Sequence, residues 1–538
     1  MTNYKSISDA HSYKPILPAR NLEDVPMRLV TAGGVERACV DGESFLRVSD
    51  AALSALAEAA LGDVEFYLRP GVLDSYAAIA ADEAASENDR FVAASLLANA
   101  IISAEGELPL CQDTGTAMIC GTKGNRVLSS GNESAALSVG VAAAFANRNL
   151  RFSQVAPESM YVDANTKTNL PAQIDLTVGA GEEYKFLIAA KGGGSTNKTR
   201  LFMKDPSILS PAVLEAFLIE AIAEIGTAAC PPYRIGVVVG GTSPEANLKT
   251  LKLATCRDLE SLPTSPGDDG YAIRDIDLEA TLQTACRNLG LGAQFGGVHF
   301  ASEVRCVRLP RHAATVCVSV GVSCNADRNL YAKITAEGVF IEQLDTNPAR
   351  YAGLAATSPT AVEISTDQPM DDLVAELARQ PVGTMVLLSG PLVVARDAAH
   401  KRVAAMLDAG EAMPDALMKF PVYYAGPAKT PSGKPSGSFG PTTAQRMDSY
   451  VSRFQSLGAS RVMLAKGNRS AVVAESCREN SGVYLGTIGG AAALVAERHI
   501  TAVETIAFED LGMEAIRKIT VDKLPAFILT DPAGESLY

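Results

Sequence analysis

The sequence lacks the features that would place it in a membrane or on a nucleic acid. No uninterrupted apolar run reaches the roughly 18 to 20 residues that a membrane-spanning helix needs. The N-terminal segment MTNYKSISDAHSYKPILPAR resembles neither a secretory signal, with its basic start and apolar stretch, nor an Arg-rich, acid-poor transit peptide. The formal net charge is −14, whereas a nucleic-acid surface needs clustered Lys and Arg. We therefore expect a cytoplasmic protein with no membrane or nucleic-acid partner.

The ten cysteines also lack the spacings of familiar sites. They are scattered, no spacing repeats, and neither a CxxC pair nor an HExxH motif occurs. A disulfide framework is therefore not expected, and a tetrahedral zinc site would need ligands from distant segments. The sequence also has no GxGxxG fingerprint and no Walker sequence, so a nucleotide-binding module is the weakest of the functional hypotheses.

The length and composition predict a globular protein with more than one domain. The chain has 538 residues, of which 47% are hydrophobic and 20% charged, and this length is too great for a single core. Helical and β-branched segments alternate, which predicts the α/β fold class. The composition becomes loop-like from about 341 to 384. We predict an N-terminal α/β domain at 1–350, a linker region at 351–384 and a C-terminal α/β domain at 385–538.

Hydrophobic periodicity and capping residues predict the main elements. Helices are expected at 49–61, 70–103, 133–148, 212–225, 397–409, 443–457, 469–479 and 489–497. Strands are expected at 173–178, 184–190, 385–395, 461–465, 501–507 and 526–530.

The segment LPLCQDTGTA concentrates reactive side chains in one place. Cys111, Gln112 and Asp113 are adjacent and stand between Pro109 and Gly115. Proline supplies no N–H and glycine weakens regular elements, so the segment is predicted to be a rigid loop. Such loops often carry chemistry, although a buried cysteine beside a capping aspartate would give the same pattern.

Three further segments have a similar character. The strand at 184–190 runs into KGGGSTNK, where exposed N–H groups of the glycines form either an anion-binding nest or a simple tight turn. Cys230 precedes two prolines, and Cys324 ends a strand before the polar segment NADRN. Three thiolates can hold an iron–sulfur cluster and leave one iron open. From the spacing alone, however, three buried core thiols are the simpler interpretation.

A resemblance to a known family changes that balance. The chain resembles the single-chain class I fumarate hydratases, the oxygen-sensitive iron–sulfur family, from near residue 60 to the C-terminus. The segments that carry the resemblance are LPLCQDTGTA, KGGGSTNKT, TAACPPYRIGVVVGGTS, LPRHAA, GVSCNADRN, YYAGPAKTP, GPTTAQRMDSY and LAKGNRS. One departure is Gln445, where many members have glycine.

The resemblance implies a cofactor, a reaction and an assembly. It implies a [4Fe–4S] cluster held by Cys111, Cys230 and Cys324, with its fourth iron open to substrate. The implied reaction is the reversible hydration of fumarate to (S)-malate. The C-terminal domain would be of the swivelling β/β/α kind, the active site would lie between the domains, and the enzyme would be a homodimer.

The resemblance also implies which residues bind the dicarboxylate substrate. Removing a proton beside a carboxylate builds an aci-carboxylate dianion, which needs fixed positive charge. The matching positions for substrate binding are Gln112, Arg151, Gly194 (through its backbone), His312, Arg396, Arg446 and Lys466. Taken alone, His312 is better explained as a core histidine.

The same resemblance assigns the proton-transfer groups. Thr442 is the proposed base, with Arg446 four residues further on and on the same face of a helix starting there. Asp113 is the proposed acid that assists the departure of hydroxide. The alternatives are an N-cap role for Thr442 and an Asx-turn for Asp113.

Two rival functions stay open at this stage. A related hydro-lyase acting on L-tartrate or mesaconate would use the same cluster, although tartrate dehydratases are often split into two subunits. An iron or redox sensor would keep the cluster without turnover, but the intact Thr442, Asp113 and Lys466 argue against it.

Overall fold

The structure, a computed structural model, describes residues 14–267, 270–355 and 360–538. Residues up to 13, together with 356–359 of the predicted linker, lie outside the described residues. Within the described ranges, no helix combines the length and apolar character needed to cross a membrane.

The helices and strands form a mixed α/β fold, as predicted. The α-helices are Asp50–Phe66, Pro70–Ala81, Glu87–Ser103, Glu133–Asn147, Gly193–Thr196, Pro211–Ala223, Pro244–Ala254, Ile276–Asn288, Met370–Leu377, Asp397–Asp408, Asp415–Lys419, Asp448–Ser456, Ala471–Asn480 and Ala492–Arg498. Short 3₁₀ helices are Pro206–Leu209, Pro348–Tyr351, Ala444–Met447 and Glu509–Glu514. The strands are Met27–Thr31, Val35–Val40, Glu43–Val48, Thr116–Gly124, Val127–Leu128, Val155–Pro157, Asp163–Asn165, Gln173–Gly179, Tyr184–Lys191, Arg200–Lys204, Tyr233–Gly241, Ile273–Arg274, Ala301–Arg311, Val316–Ser323, Asn329–Thr335, Gly338–Glu342, Val362–Ser365, Met385–Val394, Val422–Tyr423, Ala425–Pro427, Phe439–Pro441, Val462–Ala465, Val483–Gly486, Ile500–Ala507 and Ile516–Thr530.

Capping residues explain where the first helices begin and where one prediction is wrong. Ser49 caps the helix Asp50–Phe66 by accepting a hydrogen bond from the N–H of Ala52. The helical region predicted at 70–103 is two helices, because Ser86 caps a new helix that starts at Glu87. The predicted strands all form, although 526–530 is only the end of the strand Ile516–Thr530.

The first sheet has six strands and presents the glycine-rich segment. The strand Tyr184–Lys191 pairs antiparallel with both Thr116–Gly124 and Asn329–Thr335. Because Thr116 lies opposite Lys191, the start of one strand meets the end of the other at the same edge. The loop before Thr116 and the segment after Lys191 therefore lie side by side.

The second sheet has five strands and brings two of the three cysteine loops together. Its central strand Tyr233–Gly241 is buried throughout and pairs antiparallel with Val316–Ser323. Arg234 lies opposite Ser323, so the loop entering the first strand adjoins the loop leaving the second. The N–H of Asn325 donates to the carbonyl of Cys230 at 3.0 Å, which ties these two loops directly.

The third sheet has seven strands and is formed by residues 362–530. Five of its strands run parallel, and the long strand Ile516–Thr530 pairs antiparallel with Met385–Val394. Its core includes side chains from earlier in the chain. The ring of Phe527 stacks on Phe295 with centroids 4.0 Å apart and lies 6.0 Å from Phe91. Residues from before position 350 therefore complete the C-terminal core.

Candidate active site

The LPLCQDTGTA loop is fixed at both ends by other parts of the fold. The N–H of Leu110 donates to the carbonyl of Glu65 at 2.8 Å, at the end of the first helix. The Gln112 side-chain amide donates to the carbonyl of Pro441 at 3.0 Å, in the C-terminal half. Gly115 adopts φ +73°, and its own N–H donates to Asp113 at 3.2 Å. The segment is a loop, as predicted, and its polar groups have hydrogen-bond partners in distant parts of the fold.

Cys111, Cys230 and Cys324 form a group that we call the thiol cluster. Cys111 and Cys230 are buried, Cys324 is half-buried, and all three are free cysteines. Each is close enough for its charge to act on a neighbour, since Cys324 raises the pKa of both Cys111 and Cys230. The folded chain thus brings the three distant loops to one place.

Burial controls the ionisation of these thiols. It raises the pKa of Cys111 to about 11, while Arg328 and Lys466 act in the opposite direction. The ammonium of Lys466 donates to the sulfur of Cys230 at 2.8 Å. Burial alone would lower the pKa of Lys466, but the charges of the thiol cluster outweigh it and raise that pKa. The net effect favours the protonated thiols of Cys111 and Cys230, while the counter-charges that their thiolates would need are already present.

Two amide side chains that the motifs did not single out hold the thiol cluster in place. Gln294 and Asn325 are both buried, and each donates to the carbonyls of Pro231 and Gly489 at 2.9–3.2 Å. The N–H of Gly489 donates back to Gln294 at 2.7 Å. These bonds join the Cys230 loop to the C-terminal half.

Gly489 itself packs on the cluster. A Cβ at this position would overlap the sulfur of Cys230 and would lie 3.0 Å from Cδ of Lys466. Only glycine permits so close an approach of the backbone. The sequence signal for this contact was the pair Gly489–Gly490 opening a predicted helix, which is too common a pattern to identify a site.

Asp113 faces the glycine-rich segment. It accepts a hydrogen bond from the N–H of Gly193 at 2.8 Å, and it forms an ion pair with Arg151 at 3.2 Å. Burial alone would raise the pKa of Asp113, but Arg151, Arg328 and the Gly193 N–H outweigh it and hold that pKa below its usual range. The predicted Asx-turn is present as well, so the two interpretations of Asp113 are compatible.

Arg151, Arg396 and Arg446 form a second group, which we call the arginine cluster. Arg396 pairs with Glu514 at 2.9 Å, and Arg446 pairs with Asp397 at 3.2 Å. Burial, followed by repulsion from Arg151, lowers the pKa of Arg396 to about 10. Each arginine has an acidic partner, but the guanidiniums also repel one another, so a bound anion would stabilise the cluster.

Thr442 lies between the two clusters. Its hydroxyl accepts a short hydrogen bond from the guanidinium of Arg446, as the four-residue spacing predicted. The N-cap interpretation of Thr442 is wrong, because the helical turn begins at Ala444 and its N-cap is Thr443. The carbonyl of Thr442 accepts from the N–H of Lys466 at 3.2 Å. The hydroxyl is thus free of a capping role and beside a cation.

An open cleft of about 1080 Å³ is lined by the arginine cluster and by neighbours of the thiol cluster, although the three cysteines themselves do not line it. Its lining includes most of the predicted substrate-binding residues, namely Gln112, Arg151, Gly194, Arg396, Arg446 and Lys466, together with Asp113 and Thr442. Gly194 lies at the wall, where an added Cβ would come 3.8 Å from the ammonium of Lys466. The cleft has room for a small anion and several waters.

His312 is not brought to this cleft within a single chain. It is exposed in the hairpin turn that precedes the strand Val316–Ser323, at the opposite end of that strand from Cys324. Its Nδ1 accepts from the N–H of Ala314 at 3.2 Å, so it is not a core histidine either. Its assignment to the substrate stays a prediction.

The thiol cluster offers the donor type that iron–sulfur centres use. Across the described residues, no three His, Cys, Asp or Glu side chains form a group that could hold a single metal ion. The three thiols act on one another electrostatically and have Lys466 and Arg328 as counter-charges, which matches the soft sulfur donors of an iron–sulfur centre. The residues present therefore fit the implied cofactor.

The fold and the cleft together define an enzyme whose substrate is a small anion, held between buried thiols and arginines. Comparison with known proteins makes this specific. The family model described as "Fumarate hydratase (Fumerase)" matches residues 54–333, and that described as "Fumarase C-terminus" matches residues 338–538. The chain belongs to the class I fumarate hydratase family.

Similar proteins cover nearly the whole chain. Fumarate hydratase class I, anaerobic, of Escherichia coli K12 is 50% identical over 513 residues, which cover 95% of this chain and 94% of that protein. The aerobic class I enzyme of the same strain is 48% identical over 519 residues, which cover 96% and 95%. Fumarate hydratase 1, mitochondrial, of Leishmania major is 49% identical over 501 residues, which cover 92% and 91%.

Proposed function

We propose that this protein catalyses the reversible hydration of fumarate to (S)-malate with a [4Fe–4S] cluster held by Cys111, Cys230 and Cys324. The observation that carries the proposal is one cleft lined both by the arginine cluster and by Gln112 and Lys466, whose side chains contact the sulfurs of Cys111 and Cys230. When bound, the cluster would supply a Lewis-acidic iron for an oxygen of the substrate. All other steps are derived from side chains of the chain.

The arginine cluster would bind the substrate carboxylate that lies away from the thiol cluster. Arginine's planar fork matches a carboxylate in two parallel hydrogen bonds. A carboxylate between Arg151, Arg396 and Arg446 would relieve the repulsion that lowers the pKa of Arg396. The same positive charge would stabilise the aci-carboxylate dianion as it forms.

Thr442 and Asp113 would exchange protons with the substrate. Although burial would raise it, Arg151 and Arg328 hold the pKa of Asp113 low, so its carboxylate is ionised and would orient the attacking water by accepting a hydrogen bond from it in hydration. A carboxylate of low pKa is a weak base, so proton transfer to Asp113, and its return to the departing hydroxide in dehydration, would require the negative charge of the bound substrate to raise that pKa. Thr442 would take the proton from carbon in dehydration, with the Arg446 guanidinium stabilising its oxyanion.

The finer features of organisation belong to this proposal. The N-terminal domain at 1–350 would carry the cluster, and the domain at 385–538 would be of the swivelling β/β/α kind, with the linker region at 351–384 between them. The protein would act in the cytoplasm as a homodimer. His312 would contact the substrate, and His312→Gln should then raise the KM for fumarate while leaving iron content unchanged.

The proposal is tested by anaerobic purification and reconstitution of three proteins: wild type, Cys230→Ala and, as matched control, Cys317→Ala. Cys317 is a buried core thiol on the strand that ends beside Cys324. Iron and sulfide content, the visible absorption of the cluster and the hydration of fumarate, L-tartrate and mesaconate are measured together.

We expect full cluster and fumarate turnover in wild type and Cys317→Ala, with both impaired in Cys230→Ala. Faster turnover of L-tartrate or mesaconate would assign the protein to a related hydro-lyase. A cluster without turnover of any of the three acids would indicate a sensor. Full activity without a cluster would overturn the ligand set and the mechanism.

A further inference from the structure

A fully buried ion pair lies behind the candidate site and does not line its cleft. The guanidinium of Arg328 donates to Glu65 at 2.8 Å, and the two side chains are 2% and 0% exposed. Glu65 stands in the last turn of its helix, where a negative charge is unfavourable. Burying two charges rarely adds stability compared with apolar packing, so the fold alone does not explain this pair.

The pair joins three segments that form the site. The carbonyl of Glu65 accepts from the N–H of Leu110 at 2.8 Å, just before Cys111. The carbonyl of Arg328 accepts from the N–H of Ala190 at 3.0 Å, at the end of the strand that leads to the glycine-rich segment. Arg328 itself follows closely on Cys324 in the chain.

The charge of Arg328 reaches the reacting groups. It favours the ionised forms of Cys111 and Asp113, and the thiols of Cys111 and Cys324 in turn favour its protonated form. A Cβ added at Gly192 would lie 3.4 Å from NH2 of Arg328 and 3.0 Å from the Asp113 carboxylate. The guanidinium and the carboxylate therefore flank the same glycine.

We propose that Arg328, held by Glu65, is a positioning residue for the hydration reaction: it fixes the Cys111 loop and the glycine-rich segment in register, and it supplies the thiol cluster with a fixed positive charge in addition to that of Lys466. Glu65 orients that charge and balances it only in part. This inference rests on the proposed function, in which the thiol cluster holds an iron–sulfur cluster. It extends that proposal, because it states that an ion pair outside the cleft contributes to the electrostatic environment of the iron–sulfur cluster.

The direction in which the midpoint potential of the iron–sulfur cluster shifts distinguishes this electrostatic role of Arg328 and Glu65 from a purely structural role. A positive charge favours the reduced, more negative cluster, so Arg328→Gln should shift the cluster's midpoint potential to a more negative value. Burial raises the pKa of Glu65 to about 7, so the titration is made well above pH 7, where Glu65→Gln removes a negative charge and should shift the potential, by less, to a more positive value. Both variants break the same ion pair, so a purely structural role would not give shifts of opposite sign.

The experiment measures the midpoint potential by electron paramagnetic resonance during redox titration, together with kcat and KM for fumarate. Arg328→Lys keeps the charge but loses the planar fork, so the potential should stay near that of wild type while kcat falls about tenfold. KM should change little, because the arginine cluster is intact. The controls are Arg305→Gln and Glu279→Gln, which break another buried pair, 2.6 Å long, in the five-stranded sheet.

The outcomes are distinguishable. Opposite shifts in the two site variants with unchanged potentials in the controls support the proposal. Shifts of the same sign, no shift, or equal shifts in the controls overturn it and leave the hydratase function standing. Wild type without a cluster overturns both. If Arg328→Gln does not fold, an unchanged potential in Glu65→Gln or full kcat in Arg328→Lys overturns the proposal.

Discussion

The two charged groups around the cleft are built on different principles. The thiol cluster is buried, and its counter-charges Lys466 and Arg328 are already in contact with it or close to it. The arginine cluster is paired with acids that stay partly exposed, since the side chains of Glu514 and Asp397 are 28% and 39% exposed. Solvent screening makes such pairs weak.

This difference separates a resident group from an exchangeable one. A site whose charges are balanced and whose backbone is tied by buried amides is suited to hold a cofactor permanently. A site whose arginines are held by weak, partly exposed ion pairs is suited to bind and release an anion in each turnover. Changes in the thiol cluster should therefore alter cofactor content, and changes in the arginine cluster should alter substrate binding alone.

The largest effect is expected from Gly489→Ala, which disrupts the thiol cluster although it replaces none of the three cysteines. The new Cβ would overlap the sulfur of Cys230, so the ligand must move. We expect loss of most bound iron and a fall in fumarate hydration of about 10³-fold, equivalent to about 4 kcal/mol. Iron analysis and activity are measured beside Gly71→Ala, where an added Cβ meets nothing within 4 Å. Normal iron content in Gly489→Ala would contradict the packing.

The second prediction concerns pH and the support beneath the arginine cluster. His400 is buried, stacks on Phe454 at 5.5 Å and contacts the carbonyl of Arg396 through Nδ1 at 3.1 Å. Burial lowers its pKa from the usual 6.5 to about 4. Between these values the unfolded chain binds the additional proton, so the free energy of unfolding should fall by about 3 kcal/mol as the pH drops.

Denaturant titrations from pH 7 to pH 4 test this dependence. His400→Phe removes the titrating group. The slope of the free energy of unfolding against pH should then decrease by the amount that corresponds to about one bound proton. Val403→Ala on the same helix should lower stability equally at every pH, because it removes buried apolar contact only. An unchanged slope in His400→Phe would assign the acid sensitivity to other groups.

The third prediction concerns the hydroxyl of Thr442, which lies between the two clusters. Thr442→Val keeps the shape of the side chain but removes the hydroxyl beside Arg446. We expect kcat to fall about 10²-fold, equivalent to about 2.7 kcal/mol, with iron content and KM near wild type. Thr443→Val is the control, since the Thr443 hydroxyl instead donates to the carbonyl of Ala228 at 3.4 Å. A fall of the same size in both variants would remove the special role of Thr442.

The smallest effect is expected from a conservative change in the arginine cluster. Arg396→Lys keeps the charge but loses the fork that fits a carboxylate. We expect kcat/KM for fumarate to fall about tenfold, mainly through KM, with unchanged cluster content. Arg453→Lys is the control, because Arg453 pairs with the exposed Asp408 away from the cleft. Loss of iron in Arg396→Lys would mean that the arginine cluster also affects cofactor binding, and it would contradict the division of roles between the two clusters.

Much of the local structure could be predicted from short-range patterns. Caps, prolines and hydrophobic periodicity indicated most helices and the main strands, because these signals act within a few residues. The break at Ser86 was missed because the Ala- and Leu-rich pattern continues on both sides of it. The Thr442 cap was misplaced by one residue, which is the usual uncertainty of a helix boundary.

The site was only partly predictable. The long motifs pointed to the three cysteines, Asp113, Thr442 and the arginines, but no local pattern pointed to Glu65, Arg328, Gln294 or Asn325 as a support of the site. Each of these acts on a partner that is distant in sequence. His312 shows the reverse case, since it lies within a motif and yet away from the cleft of its own chain.

The sequence by itself determined the fold class, the family and the chemical types of the site residues, because these depend on local periodicity and on long matching segments. Only the tertiary structure decided which charges balance each other. The pairing of strands places Cys230 beside Cys324 and Asp113 beside Gly193, and burial then sets how strongly each neighbouring charge acts. Both distance and burial are properties of the folded chain and cannot be assigned to any residue alone.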